Sequence, residues 1–154
     1  MMRRTCALAA LALAALALAG CGHLVILHDP LSPAEHNDLG VAYERAGQRG
    51  LAAREYRQAL RRDRRYAVAR VNLGNLAAGE GRWAEAERCY RKALRARPDD
   101  ADAMNNLAMA LLHRRRRLDE AEALATRAVA LGGRDSLYRG TLEDVRRARA
   151  APRP

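Results

Sequence analysis

The stretch Asn72-Leu73-Gly74-Asn75 decides the fold, because related copies lie at a fixed distance on either side of it. Leu39-Gly40 precedes Leu73-Gly74 by 34 residues, and Leu107-Ala108 follows it by 34. The first two copies continue to agree at the same offset in four further pairs: Ala52 and Ala86, Tyr56 and Tyr90, Ala59 and Ala93, Leu60 and Leu94. A fixed period of this length predicts a stacked array of helix-turn-helix units.

The order of residues within each copy is similar to the tetratricopeptide repeat pattern, in which Leu-Gly is followed by Tyr, Ala, an aromatic residue and Pro. The middle copy is the fullest match, with Leu73-Gly74, Ala86, Tyr90, Ala93 and Pro98, whereas the first copy has Arg64 at the position of Pro. The chain therefore resembles the tetratricopeptide repeat (TPR) family. The resemblance implies an all-α, right-handed α-solenoid of three repeats followed by a C-terminal capping helix.

Composition also favours closely packed helices. Apolar residues make up 49% of the 154 residues, yet Phe is absent and aromatic residues are only 4%, so Ala and Leu must supply most of the core. A β-sandwich would be richer in aromatic and β-branched residues. The length leaves room for one domain.

The repeat period predicts boundaries along the chain. Three repeats, a capping helix and a short tail are expected at residues 33–66, 67–100, 101–135, 136–150 and 151–154. Ser32 is expected to cap the first helix, with Pro33 in its first position. Repeat three gains one residue in the turn between its helices, where length changes are tolerated best.

The N-terminus resembles an export signal. Arg3 and Arg4 precede an uncharged run, mainly of Ala and Leu, from Cys6 to Gly20. A run of about 15 apolar residues is short for a membrane span. The run ends in Leu18-Ala19-Gly20-Cys21, which resembles the bacterial lipobox, where the cysteine receives lipid and becomes the mature N-terminus.

From this resemblance we expect a signal peptide at residues 1–20, lipidation of Cys21 and a tether at residues 21–32. Gly22 rather than Asp follows the cysteine, which in lipoproteins favours the outer membrane, on its periplasmic face. Acyl chains would anchor the protein to the membrane, since each buried methylene contributes about 0.8 kcal/mol. Cleavage would remove two arginines and no acid, and lower the net charge from +10 to +8.

The positive charge comes almost entirely from arginine, because Lys92 is the only lysine. Such an excess attracts anions, although its even spread is also typical of solvated helix faces. Nucleic acid is not an expected partner, because the export signal places the chain outside the cytoplasm. The strongest charge feature is the turn formed by Arg114, Arg115, Arg116 and Arg117. It is either an anionic contact, to phosphate-bearing lipid or an acidic protein, or a solvated turn.

Binding in the TPR family occurs in a concave groove lined by the first helix of each repeat. The resemblance implies a peptide-binding groove at Asn37, Val41, Arg45, Asn72, Asn75, Asn105, Asn106, Met109 and His113. Side-chain amides can donate to and accept from a peptide backbone, but Asn before Leu-Gly is also common in TPR sequences, so both interpretations stay open. Asp102 lies where a clamp for a C-terminal carboxylate would need a cation, and such a clamp is not expected.

No enzyme chemistry is predicted. Cys6, Cys21 and Cys89 form neither a disulfide nor a metal pattern, and Cys89 is interpreted as a small buried group. No metal site, phosphate loop, cofactor site or catalytic residue set is evident.

Three functions fit these features. The first is a lipid-anchored, non-catalytic adaptor that binds a protein or peptide partner in the cell envelope, in assembly or secretion. The second is an accessory subunit to a separately encoded envelope peptidase, suggested by similarity to the TPR half of lipoproteins with a peptidase-like domain. The third is binding of anionic lipid or glycan through the Arg114–Arg117 turn.

Overall fold

The computed structural model describes residues 29–132 and 136–151, and these residues contain seven α-helices and no strand. The predicted signal peptide, its lipobox cysteine and most of the tether lie outside the described residues. The helices are α1 (Pro33–Arg45), α2 (Arg49–Arg62), α3 (Ala67–Gly79), α4 (Trp83–Ala96), α5 (Ala101–His113), α6 (Leu118–Gly132) and α7 (Ser136–Ala150). Within these ranges no helix is both long and apolar enough to cross a membrane.

The helices pack as three hairpins followed by a single helix. The extensive contacts are between α1 and α2, between α3 and α4, and between α5 and α6, while α7 packs on both α5 and α6. Short turns join the two helices of each hairpin, which makes neighbouring helices antiparallel. The prediction of an all-α repeat array with a final capping helix is confirmed.

The first helix begins with a capping box. The Ser32 hydroxyl accepts a hydrogen bond from the Glu35 backbone N–H at 3.2 Å, and the Glu35 carboxylate accepts one from the Ser32 N–H at 2.8 Å. Pro33 occupies the first helical position, where its missing N–H costs no hydrogen bond. The predicted Ser32 cap and the predicted first position of Pro33 are therefore confirmed for this helix.

The turn inside each hairpin needs a left-handed residue. Gly47 and Gly81 occupy equivalent positions in the first two hairpins, with φ of 74° and 73°. One repeat length further on, Arg115 takes the same role with φ of 47°, and Arg117 also has a positive φ of 50°. The inserted residue thus gives repeat three a turn with two non-glycine residues in a region that costs L-amino acids energy.

Glycine also allows the helices of a hairpin to approach closely. A Cβ added at Gly40 would lie 2.6 Å from Cδ1 of Tyr56, and one added at Gly74 would lie 2.8 Å from Cδ1 of Tyr90. Both tyrosine rings are buried. In repeat three the corresponding pair is Ala108 and Ala125, so a larger residue on the first helix accompanies a smaller one on the second.

The core is divided into clusters. The first, which we call the repeat-one core, contains Ala52, Tyr56, Ala59, Ala69 and Leu76. A larger cluster, the central core, runs from α3 through α7 and includes Leu107, Leu111 and Val145. Helix α3 contributes to both, which makes it the link between repeat one and the rest of the array.

Candidate functional site

The predicted groove asparagines form hydrogen bonds between the first helices of successive repeats. Asn72 Nδ2 donates to Asn37 Oδ1 at 2.9 Å, which joins α3 to α1, and Asn106 Nδ2 donates to Asn75 Oδ1 at 3.0 Å, which joins α5 to α3. We call these four residues the amide row. The amide row therefore fixes the distance between successive repeats, independently of any contact with a ligand.

Asn75 has a second structural bond. Its Oδ1 also accepts from the Tyr90 hydroxyl at 2.9 Å, so one amide oxygen ties the buried tyrosine of repeat two to the first helix of repeat three. The amide nitrogen of Asn75 donates no hydrogen bond among the residues that the structure describes, and its side chain is exposed. Asn75 therefore keeps a donor for a ligand.

Two of the predicted groove residues are too buried to offer much surface. Asn37 is 5% exposed and Asn105 is 2% exposed. The Asn105 amide nitrogen lies 3.4 Å from Asn106 Oδ1, whereas its Oδ1 has no hydrogen-bond partner within the described part of the chain. These two amides support their neighbours, and direct contact with a ligand would have to come from the other members of the predicted groove.

The remaining groove positions are at least partly accessible. Arg45 and His113 are exposed at the C-terminal ends of α1 and α5, while Val41 and Met109 are half-buried. Val41 packs against the repeat-one core. The His113 ring stacks on Trp83, with ring centroids 3.8 Å apart and planes inclined by 5°.

Asp102, which argued against a carboxylate clamp, has a structural partner. Its Oδ1 accepts a hydrogen bond of 2.6 Å from the hydroxyl of Tyr138 in α7. The bond attaches the capping helix to the first helix of repeat three.

The four arginines of the turn do not act alike. Arg114 is half-buried and forms an ion pair with Glu87 of α4, and Arg117 lies 3.7 Å from Glu120 at the start of α6. Arg115 and Arg116 are exposed and have no ion pair in the described chain. Half of the predicted anionic contact is therefore committed to intramolecular pairing.

Arg91 links the two acidic residues that pair with arginines of this turn, Glu87 of α4 and Glu120 of α6. Its guanidinium forms two bonds with Glu120, of 2.6 and 2.9 Å, and Nε donates to Glu87 at 3.0 Å. The hydrogen bonds from Arg91 hold the pKa of Glu120 below its ordinary range. Burial opposes ionisation of Glu87, but its bonds to Arg91 and Arg114 outweigh that effect and keep its pKa lowered as well.

Sequence reasoning missed this network and one buried pair. His36 is 2% exposed, and its Nδ1 lies 2.9 Å from Glu55 of α2. Arg91 and Glu120 are 29 positions apart, which gives no local signal. His36 and Glu55 lie on the two helices of one hairpin, so a hairpin alignment of α1 with α2 could have suggested that pair.

Cys89 has the character of a structural thiol. It is half-buried on α4, and burial raises the pKa of its thiol, with a further contribution from Glu85. A raised pKa keeps the group protonated and poorly nucleophilic at neutral pH.

With this geometry in hand, comparisons with known proteins identify the family. A family model described as "Tetratricopeptide repeat" matches residues 37–87 and 71–136. This chain belongs to the tetratricopeptide repeat family. No curated protein shows significant sequence similarity to it.

Solved TPR structures share its fold. The first TPR of Spaghetti (RPAP3), bound to the HSP90 peptide SRMEEVD, has a TM-score of 0.74 at 19% identity and covers 82% of this chain and 99% of its own. The first TPR domain of human RPAP3, determined by NMR, has a TM-score of 0.71 at 19% identity, with 77% and 92% covered. At this identity the likeness concerns the fold. A TPR domain of this kind fits a non-catalytic role in protein–protein interaction.

Proposed function

We propose that this TPR protein is a lipid-anchored, non-catalytic adaptor of the bacterial cell envelope, which binds a peptide or helix of a partner protein along α1, α3 and α5. The observation that carries the proposal is the amide row. Its two inter-repeat bonds fix the spacing of three helices before any ligand arrives, and preorganisation reduces the entropy lost on binding.

An extended peptide suits this surface. The free donor of Asn75 can bond to a main-chain carbonyl, while Arg45 and His113 lie at the same end of their helices as possible contacts for an acidic or polar side chain. One solved structural neighbour is bound to a short HSP90 peptide, which supports a peptide as ligand for this fold. We expect the sequence of the peptide bound here to differ, because the TPR resemblance implies that Asp102 stands where a carboxylate clamp has a cation, and its carboxylate is bonded to Tyr138.

The groove is tested by changes that spare the structural bonds. Arg45→Glu with Met109→Glu alters one exposed and one half-buried groove residue that form no side-chain hydrogen bond in the described chain. Arg54→Glu, an exposed charge reversal on α2, is the control for the charge reversal at Arg45. Cross-linking in native envelopes should capture the same partner with the wild type and with the control, and lose it with the groove variant. Equal capture of the partner by the wild type, the control and the groove variant would contradict binding at the groove.

The anchor and its location are proposed from the sequence Leu18-Ala19-Gly20-Cys21 and from Gly22. Metabolic labelling with a palmitate analogue should mark the wild type and not Cys21→Ser. Membrane separation should place the labelled protein in the outer-membrane fraction. Labelling that survives the substitution would refute lipidation at Cys21 and leave the adaptor proposal standing on the groove alone.

The alternatives have narrower support. A role as accessory subunit to an envelope peptidase predicts a peptidase gene beside this one, and co-purification of the two products would test it. Binding of anionic lipid or glycan through the turn now depends on Arg115 and Arg116, since Arg114 and Arg117 pair with Glu87 and Glu120. Unchanged liposome binding by Arg115→Gln with Arg116→Gln at low salt would contradict it.

A further inference from the structure

A small basic cavity lies at the junction between repeats one and two. Its volume is about 260 Å³. It is lined by five cationic side chains and one alanine: Arg64, Arg65, Arg70, Lys92, Arg95 and Ala96. It involves neither the predicted groove nor the arginine turn of repeat three.

No carboxylate lines this cavity, and within the described chain none of its five cations forms an ion pair. The nearest acid in sequence, Asp63, is engaged with the backbone, because its Oδ1 accepts from the Arg65 N–H at 2.7 Å. Arg70 donates to the backbone carbonyl of Arg64, so the loop is held in place while the positive charge stays unbalanced. Five like charges around one cavity repel each other, and a bound anion would relieve that repulsion.

The next junction of the same molecule provides an internal comparison. At the 34-residue offset, Pro98 and Asp99 replace Arg64 and Arg65. There Asp99 forms an ion pair with Arg127, at 3.2 Å. Arg127 follows Lys92 by 35 residues, the offset that the insertion imposes on repeat three. The junction of repeats two and three thus supplies a carboxylate to a cation on the second helix of repeat three, whereas the junction of repeats one and two has a guanidinium, that of Arg65, at the equivalent position.

The N-terminus of α3 also lacks an acid that the N-terminus of α5 has. The Asp100 side chain caps α5 by accepting from the Ala103 N–H at 3.0 Å. Tyr66 is the equivalent residue before α3, and it makes no side-chain capping bond. The positive end of α3 therefore adds to the field of the cationic side chains instead of being neutralised by an acid. Arg95 has a separate structural reason for its position: it lies in the last turn of α4, where the negative end of the helix dipole favours a positive charge.

From these observations we infer that the junction of repeats one and two is a binding site for a phosphate-type anion, held by Arg64, Arg65, Arg70 and Lys92. Arginine and lysine are the side chains that proteins use for phosphate oxygens. A cavity of about 260 Å³ holds such a group with some water, since a water molecule takes about 30 Å³, and is smaller than pockets for drug-sized ligands. The phosphate could belong to a free ion or to a phosphodiester lipid head group.

The test compares thermal unfolding of the full-length protein, in a non-ionic detergent, with inorganic phosphate or chloride at equal ionic strength. A ligand that binds only the native state raises the unfolding temperature as the ligand concentration increases, and the dependence on concentration gives an apparent affinity. Arg65→Asp gives this junction the acid that Asp99 provides in the next one. Arg116→Asp makes the same change of charge at an exposed position of the arginine turn and is the control.

We expect the wild type and Arg116→Asp to respond equally to phosphate, and the affinity of Arg65→Asp to be at least about tenfold weaker, since one charge-assisted contact is lost and a repulsive one gained. Lys92→Gln should weaken binding without introducing an acid, which separates the site from any folding defect of Arg65→Asp. The site is overturned if the wild type shows no phosphate-specific response. It is equally overturned if Arg65→Asp responds like the wild type, or if both aspartate variants lose the response together.

A second probe identifies the source of the phosphate. Glycerophosphoglycerol is the soluble head-group portion of a phosphodiester lipid. Binding of inorganic phosphate in preference to this diester assigns the site to a free or monoester phosphate, and the reverse preference assigns it to a lipid. In either case the preferred probe must lose its effect in Arg65→Asp.

Discussion

The contact between Gly74 and Tyr90 makes a quantitative prediction. In Gly74→Ala the new Cβ would lie 2.8 Å from Cδ1 of Tyr90 and closer still to Cε1. The ring is 2% exposed and its hydroxyl is bonded to Asn75, so it has little freedom to move aside. Overpacking of this kind costs about 1–3 kcal/mol, whereas replacing a helical glycine by alanine gains about 1 kcal/mol. The overlap is severe, so we expect a net loss of about 1–2 kcal/mol.

The same substitution in α7 is the matched control. A Cβ at Gly140 would meet no atom of the described residues within 4 Å. Gly140→Ala should therefore show only the gain in helix propensity, about 1 kcal/mol. The two variants should differ in sign, and by about 2–3 kcal/mol in total.

Urea unfolding followed by far-UV circular dichroism measures both free energies, and thermal unfolding should shift by about 4 °C for each kcal/mol. Repeat three suggests a further variant, because it combines Ala108 with Ala125. In a Tyr90→Ala background, Gly74→Ala should no longer be destabilising, since the opposing ring is absent. A Gly74→Ala protein as stable as Gly140→Ala would refute the steric reasoning.

Three other predictions concern charge, burial and turn geometry. Arg91→Gln should lower the free energy of unfolding by about 1 kcal/mol at neutral pH. Because Arg91 lowers the pKa of Glu120 from 4.5, urea titrations should show the full difference in stability between wild type and variant above pH 4.5, and its loss as the pH falls through the lowered pKa. A difference that stays constant with pH would contradict this prediction. Burial raises the pKa of Tyr56 and Tyr90 above 10.0, so an absorbance titration should find both hydroxyls protonated until the protein unfolds in alkali, and its stability should fall as the pH rises above 10.0. Ionisation of all five tyrosines in the folded protein near that pH would count against this prediction. Arg115→Gly should stabilise the protein by about 0.5 kcal/mol in urea unfolding, since glycine adopts its positive φ without strain, and a loss of stability would argue against strain at this turn.

The 34-residue period was sufficient to predict the fold. Leu73-Gly74 and its copies lie in the first helix of each hairpin, and Ser32-Pro33 marks where α1 begins. These signals are readable because helix starts, close glycine contacts and turns depend on residues near one another in the chain.

Side-chain partners across repeats were not readable in the same way. The bond between Asn72 and Asn37 depends on the distance between α1 and α3, which no local pattern specifies. The sequence therefore could not decide whether the asparagines contact a ligand or have a structural role. The structure shows that four of them form hydrogen bonds between repeats. The groove itself remains a prediction.

The basic cavity has a signal in the sequence. Setting Arg64 and Arg65 above Pro98 and Asp99 reveals an exchange of an acid for a base at one place in the repeat. The even spread of arginine along the chain conceals this exchange, which is visible only when the repeats are aligned position by position.

The division of the core has a consequence for how the array opens. Ala69 and Leu76 of α3 belong to the repeat-one core, whereas Val71 and Ala77 of the same helix belong to the central core. Loss of α1 and α2 would expose one face of α3 and leave the central core intact, so repeat one can act as a separate unit of local unfolding. Its amide protons should exchange with solvent before those of α5 and α6. Under the proposed N-terminal lipid anchor, this is also the unit that any pull on the anchor would reach first.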